Sequence, residues 1–129
     1  MKIAFDFDDV LDREDIQVIA KNLMRNHEIF VISARPDVKQ VYIINQGMQN
    51  WNDDLFLVID TLNIKRENVF LVNNQSKRHK IIEHDIDILI DDSMEHIDEC
   101  QDVCKTIWLN PFHPSEAISE LLKLTPLSD

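Results

Sequence analysis

Asp6, Asp8 and Asp9 place three carboxylates within four positions, directly behind the apolar run that opens the chain and closes on Phe5. A buried strand has no packing reason to end in acids. Such groups must be solvated, paired or bound to a metal, because an uncompensated buried charge costs too much to persist. Two unit charges about 5 Å apart repel by roughly 3 kcal/mol at an effective dielectric near 20. A cation seated between the carboxylates removes that cost, so the grouping points to cation-assisted chemistry. A second acidic pair, Asp91-Asp92, closes another apolar run, Ile86 to Ile90.

The elements that would position these groups follow from hydropathy patterning. Met1 to Phe5 reads as a first strand. Asp12-Arg13-Glu14-Asp15 supplies a helix cap and an acidic first turn, and Ile16, Ile19, Ala20 and Leu23 recur at helical spacing through about Arg25. Glu28 to Ile32 is the second strand and ends in Ser33-Ala34-Arg35-Pro36. Val38, Val41, Tyr42, Ile44 and Met48 match a second amphipathic helix, with Gly47, the single glycine, inside it. A short helix is expected around Asp54 to Leu62, with Leu55, Val58, Ile59 and Leu62 on one face. Asn68 to Val72 is the third strand and exits through Asn73-Asn74-Gln75; Ser76 can cap a helix to about His84. The fourth strand, Ile86 to Ile90, is followed by a helix capped by Ser93 that carries Ile97, Cys100, Val103 and Cys104. Thr106 to Leu109 is the fifth strand, and a turn through Pro111 and Pro114 leads to a last helix with Ile118, Leu121 and Leu122.

Short apolar strands alternating with amphipathic helices predict an α/β fold: a five-stranded parallel sheet covered by helices on both faces, a Rossmann-like three-layer sandwich. In such sheets the site lies beyond the carboxyl ends of the strands. Asp6 and Asp8, Ser33, Asn73, and Asp91 with Asp92 all fall there, so all are expected to face one crevice.

The chain's 129 residues suit one domain with a real core. A net charge of −11 excludes an extended nucleic-acid footprint, which needs clustered Lys and Arg, but not a short phosphorylated end reached through a metal. No apolar stretch approaches a membrane span, and Asp6 interrupts the opening run too early for a signal peptide. Cys100 and Cys104, four apart in a helical pattern, are expected as free, buried small residues in a cytoplasmic protein rather than as a metal or redox pair.

The spelling Asp6-Phe7-Asp8-Asp9-Val10-Leu11 resembles the first motif of the haloacid dehalogenase (HAD) superfamily. The resemblance extends along nearly the whole chain. Ser33 stands where the second motif ends the second strand, Lys77 matches the third-motif lysine with Lys80 one turn later, and Asp91-Asp92 matches the acidic fourth motif. Ile86 to Ser93 is also similar to the fourth-motif region of deoxyribonucleotidases and polynucleotide kinase-phosphatases, and Ser33-Ala34-Arg35 to the second-motif region of the latter. The resemblance implies an HAD-like, Mg²⁺-dependent phosphomonoester hydrolase. Asp6 would be the nucleophile and Asp8 the general acid/base. Ser33 and Lys77 would hold the phosphoryl group, and Asp6, Asp8 (through its backbone carbonyl), Asp91 and Asp92 the metal. Lys77 and Lys80 are not separated by sequence. Arg35 either grips substrate or pairs with a neighbouring acid, Ser33 either holds phosphate or caps the turn into Pro36, and Asp9 reads as a turn residue. His113 reads as part of a surface turn.

The chain departs from the family in its insertions. Only 26 residues separate Asp6 from Ser33, and one loop, one helix and one strand fill them. The stretch from Ser33 to Lys77 is also too short for a separate domain, so no cap domain is expected. An open site suits a phosphorylated end of a larger molecule, or a small phosphorylated substrate such as a nucleotide enclosed by a homo-oligomer partner. The competing readings are a catalytically silent HAD-like binding module, a receiver-like signalling domain and a metal nuclease. The receiver pattern fails where Asn73-Asn74 replaces a phosphorylatable Asp and Asn110 replaces a Lys.

Overall fold

The structure, a computed structural model, describes residues 1–125. Five parallel strands form one sheet: β1 (Lys2–Phe5), β2 (Glu28–Ser33), β5 (Val69–Leu71), β6 (Ile88–Asp91) and β7 (Lys105–Trp108), in the spatial order β5-β2-β1-β6-β7. The central strand is therefore β1, which pairs Phe5 with Val31 on one side and with Ile90 on the other. Helices α1 (Glu14–Leu23), α2 (Asp53–Leu62), α3 (Arg78–Glu83), α4 (Met94–Cys100) and α5 (Ser115–Leu122) complete the alternation.

Side-chain alternation along the strands splits the core in two. Ile3 and Phe5, Ile29 and Val31, and Ile88 and Ile90 pack on one face against Ile16 and Leu23 of α1, Leu55 and Ile59 of α2 and Leu121 of α5. Ala4, Phe30, Ile32 and Leu89 face the other way, onto Ile81 of α3 and Cys100 of α4. Burial on both faces is why these strands are continuous apolar runs rather than polar-apolar alternations. Cys100 and Cys104 are free thiols, Cys100 buried in that second layer. No helix among the described residues is long and apolar enough to cross a membrane.

The helix expected over Val38 to Met48 is instead a β-hairpin, β3 (Gln40–Ile43) and β4 (Gly47–Asn50), antiparallel with Tyr42 opposite Met48. The apolar residues there satisfy the helical spacing, but Val41, Ile43 and Ile44 are β-branched and favour extended backbone. Asn45 (φ 68°) and Gly47 (φ 73°) supply the left-handed residues of the connecting turn, closed by Gln46 N–H donating to the Ile43 carbonyl at 3.0 Å. Tyr42, Ile44 and Met48, expected on a buried helix face, are 70%, 78% and 59% exposed.

With one glycine in the chain, left-handed backbone elsewhere falls to Asn and Asp. Among the described residues seven of them have positive φ, including Asp9, Asn52, Asn73 and Asn74. At Gly47 an added Cβ meets nothing within 4 Å, so the penalty for a side chain there is torsional only. Gly47→Ala is expected to destabilise the hairpin by about 1 kcal/mol, and Gly47→Asn by less. Amide hydrogen exchange of residues 40–50 checks this. Equal protection in wild type and Gly47→Ala would contradict the turn assignment.

Candidate active site

Asp6 directly follows β1, its backbone N–H donating to the Ile90 carbonyl at 2.9 Å, which ties the end of the central strand to β6. The chain then makes a wide turn over Phe7–Leu11, with Asp9 at φ 62° in the turn role expected for it. Phe7, Val10 and Leu11 are buried and anchor this turn, while Asp8 and Asp9 stay at the surface.

The centre of the site is Lys77. Its side chain is fully buried (0% exposed), and its ammonium donates to Asp6 Oδ1 at 2.9 Å and to Asp91 Oδ2 at 2.7 Å. Lys80, the alternative, is not brought to this cluster: its ammonium pairs with Glu83 at 3.3 Å and lies over the Phe70 ring. Burial of an ammonium opposes its charge, but two adjacent carboxylates outweigh that and raise the Lys77 pKa.

One ammonium cannot neutralise two buried carboxylates equally. Burial pushes Asp91 up as well, yet the hydrogen bond from His96, the Lys77 charge and the Ser93 backbone N–H together bring it down to about 2. Asp6 has fewer donors. Burial raises it to about 7 against the pull of Lys77, and the Asp91 charge adds to the rise. Asp92, half-buried next door, is also raised, by burial first and by Asp91.

Asp6, Asp91 and Asp92 each offer a carboxylate oxygen, and these three atoms lie within 4.8 Å of one another. Hard oxygen donors crowded beyond what one ammonium offsets are the donor set for a small divalent cation such as Mg²⁺, so the residues present fit that ion. The Asp8 carboxylate is not among the three. It is held by Arg35, whose Nε donates to Asp8 Oδ2 at 3.0 Å and whose Nη2 donates to Asp8 Oδ1 at 2.7 Å. The expected contribution of Asp8 to a cation is its main-chain carbonyl, which this ion pair does not touch.

Arg35 also grips Asp54 of α2 through two bonds of 2.7 and 2.9 Å and lies over the Phe7 ring. Of the two roles open to Arg35, this structure shows pairing with acids. Ser33 is fully buried at the end of β2, and its hydroxyl oxygen accepts the Arg35 backbone N–H at 3.2 Å. That contact is the turn-capping role foreseen for it, and it leaves the hydroxyl proton free to donate. Asn73 caps its own side of the crevice by accepting the Asp37 N–H at 2.7 Å, and His113 lies exposed in the turn before α5.

Two residues of the site carry no sequence signal. His96, in the first turn of α4, lies 3.2 Å from Asp91 Oδ2, and its pKa is raised chiefly by that bond. Trp108 donates its indole N–H to the Asp92 carbonyl at 3.0 Å and so fixes the backbone of the acidic pair. His96 comes from the helix that directly follows the acidic pair, whereas Trp108 reaches the site from β7, which only the packed sheet brings alongside β6. No protein-family model matches this chain, and no curated protein sequence matches it significantly.

Proposed function

We propose that this chain is a capless, HAD-like phosphomonoester hydrolase that works through an aspartyl-phosphate on Asp6. The observation that carries the reading is the buried Lys77 ammonium joining Asp6 to Asp91, with Asp92 in the same carboxylate cluster and Ser33 buried at the end of the neighbouring strand β2. A salt bridge buried this deeply is seldom the most stable arrangement available, and a hydrophobic replacement is often no worse. Its placement at the sheet's carboxyl end favours a functional reason for it.

In this reading Asp6, Asp91, Asp92 and the Asp8 carbonyl would hold Mg²⁺, which supplies positive charge against the phosphoryl oxygens. Lys77 holds Asp6 in place and adds its own charge against the phosphoryl group, and Ser33 donates to one of its oxygens. An Asp6 carboxylate oxygen bonds to phosphorus while the bond from phosphorus to the ester oxygen breaks. Asp8, as the general acid, gives a proton to that departing oxygen, which leaves as an alcohol. Asp8, now a carboxylate, takes a proton from water as the water oxygen attacks phosphorus. The bond from phosphorus to Asp6 then breaks, inorganic phosphate departs and Asp6 is regenerated.

For Asp8 to serve the leaving oxygen, Arg35 must release it. That clamp favours one alternative, a catalytically silent module that uses the same fold to bind rather than to cleave. A screen of phosphomonoesters with and without Mg²⁺ separates the two. Cleavage that depends on Mg²⁺ supports the hydrolase, and none on any ester supports the module. Mg²⁺ is also expected to raise the thermal midpoint of the wild type and not that of the Asp91→Asn/Asp92→Asn double variant, read by calorimetry. Equal shifts in both proteins would refute the metal assignment.

A further inference from the structure

Beside Asp8 lies a cleft of about 470 Å³, a volume suited to a small organic molecule. One wall is Asp8, Arg35 and Asp54; the other is the hairpin, through Ile43, Gln49 and Asn50; Trp51 and Asn52 line it where the hairpin leads into α2. The register puts the pairs Val41–Gln49 and Ile43–Gly47 on the less exposed face of the hairpin, from which Ile43 and Gln49 reach the cleft, and leaves Tyr42 and Met48 outside.

The charge pattern of these walls is unusual for this chain. None of its charged residues falls in Gln40 to Asn52, although 29% of the chain is charged. On the opposite wall the single basic group, Arg35, is already matched by two carboxylates through four hydrogen bonds. The charges are thus spent on one another. Gln49 Nε2 donates to the Gln46 carbonyl at 2.8 Å and Asn50 Oδ1 accepts from Gln40 Nε2 at 3.1 Å, so Gln49 Oε1, Asn50 Nδ2 and the indole of Trp51 remain to read a ligand. Asn52 is buried (4% exposed). Its Nδ2 donates to the Pro36 and Val38 carbonyls, at 2.8 and 3.1 Å. Its Oδ1 and the Trp51 Nε1 are buried polar atoms with no hydrogen-bond partner among the described residues. An unmade bond of this kind is costly and calls for a partner; Trp51 and Asn52 stand between this cleft and a second one lined by Asp37, Val38, Lys39 and Phe56.

We propose that this cleft receives the leaving alcohol of the phosphomonoester, and that this alcohol is uncharged and carries several hydrogen-bond donors and acceptors, as a nucleoside or a sugar does. The assignment rests on the hydrolase reading above, in which Asp8 protonates the leaving oxygen. It places the hairpin as the specificity element, with Gln49, Asn50 and Trp51 reading the alcohol. A leaving group bearing a carboxylate or a second phosphate would meet Asp8 and Asp54 with no free cation. A cationic one would have to take those carboxylates from Arg35.

The test is NMR of the ¹⁵N-labelled wild-type chain, whose two tryptophans give two indole N–H signals. Trp51 reports on the cleft, and Trp108, bonded to the Asp92 carbonyl, serves as the reference. Uridine and glucose are titrated as uncharged alcohols, glycerate as an anionic one and choline as a cationic one. The expected result is a saturable shift of the Trp51 signal by uridine or glucose with the Trp108 signal unmoved, weakened roughly tenfold in affinity by Gln49→Ala for the loss of one hydrogen bond. Equal or stronger binding of glycerate or choline, or no Trp51 response to any of the four, overturns the proposal. The phosphate esters of the same alcohols, with 4-nitrophenyl phosphate, are assayed alongside. Turnover of 4-nitrophenyl phosphate without a Trp51 response sinks the cleft assignment alone. A Trp51 response with no turnover of any ester sinks the hydrolase reading, and the leaving-group role falls with it.

Discussion

Lys77→Met is expected to cost about 3–5 kcal/mol of folding stability, the range for removing one partner of a buried ion pair. Methionine fills much of the same space, so the loss is electrostatic rather than a cavity. Asp6 and Asp91 would remain at the end of the sheet with no ammonium between them, at contacts that are now 2.9 and 2.7 Å. Urea denaturation in the presence of a chelator measures the effect. Mg²⁺ is expected to restore part of the loss, because a cation among the same carboxylates answers the same repulsion. Lys80→Met is the control: its pair with Glu83 is partly exposed and helical, and such pairs contribute at most about 0.5 kcal/mol. Equal losses in the two variants would show that Lys77 is not the counter-charge of the site.

Asp6→Asn is expected to lower turnover by more than about a thousandfold, since an amide cannot serve as the attacking group and losing a nucleophile has effects of that order or larger. Beryllium fluoride should form its adduct on the wild type at Asp6 and should fail to do so on the variant. Stability should move the other way. Burial raises Asp6 to about 7 from an ordinary value of 3.8, so between these values the folded chain holds a proton that the unfolded chain has released. The stability from this group is complete below about pH 4 and is lost as pH rises through about 7. At pH 8, without metal, Asp6→Asn removes a buried charge that the wild type must carry. The variant should then be more stable on the order of a few kcal/mol, and the gain should vanish near pH 4. Wild-type turnover retained by Asp6→Asn on every ester the wild type cleaves would end the nucleophile assignment. A pH-independent difference in stability would show that Asp6 is not the protonated member of the cluster.

The parallel sheet was legible because each of its strands is a short, β-enriched run too brief for a helix, bounded by turn residues or a helical pattern. Apolar side chains on both faces of β1, β2 and β6 leave an inner position between two helical layers as the consistent place for them. The candidate site was legible for a related reason. Acids and a hydroxyl at the carboxyl ends of such runs have nowhere to point except the crevice those ends form. The β3–β4 hairpin was not legible, because Val41, Tyr42, Ile44 and Met48 fit a helical period as well as an extended one. The backbone choice fell to β-branching and to left-handed Asn45 and Gly47, whose effect depends on where the chain must turn back. The choice between Lys77 and Lys80 was likewise outside the reach of sequence: both are lysines, one turn apart. Only the packed structure desolvates one of them between Asp6 and Asp91 and leaves the other over Phe70 beside Glu83. The same holds for the Arg35 clamp on Asp8 and Asp54 and for His96 on Asp91, contacts between residues far apart in sequence or a turn beyond the motif. Residue types and strand ends set which groups reach the crevice; which of them meet there depends on distances that exist only once β1, β2 and β6 are in register.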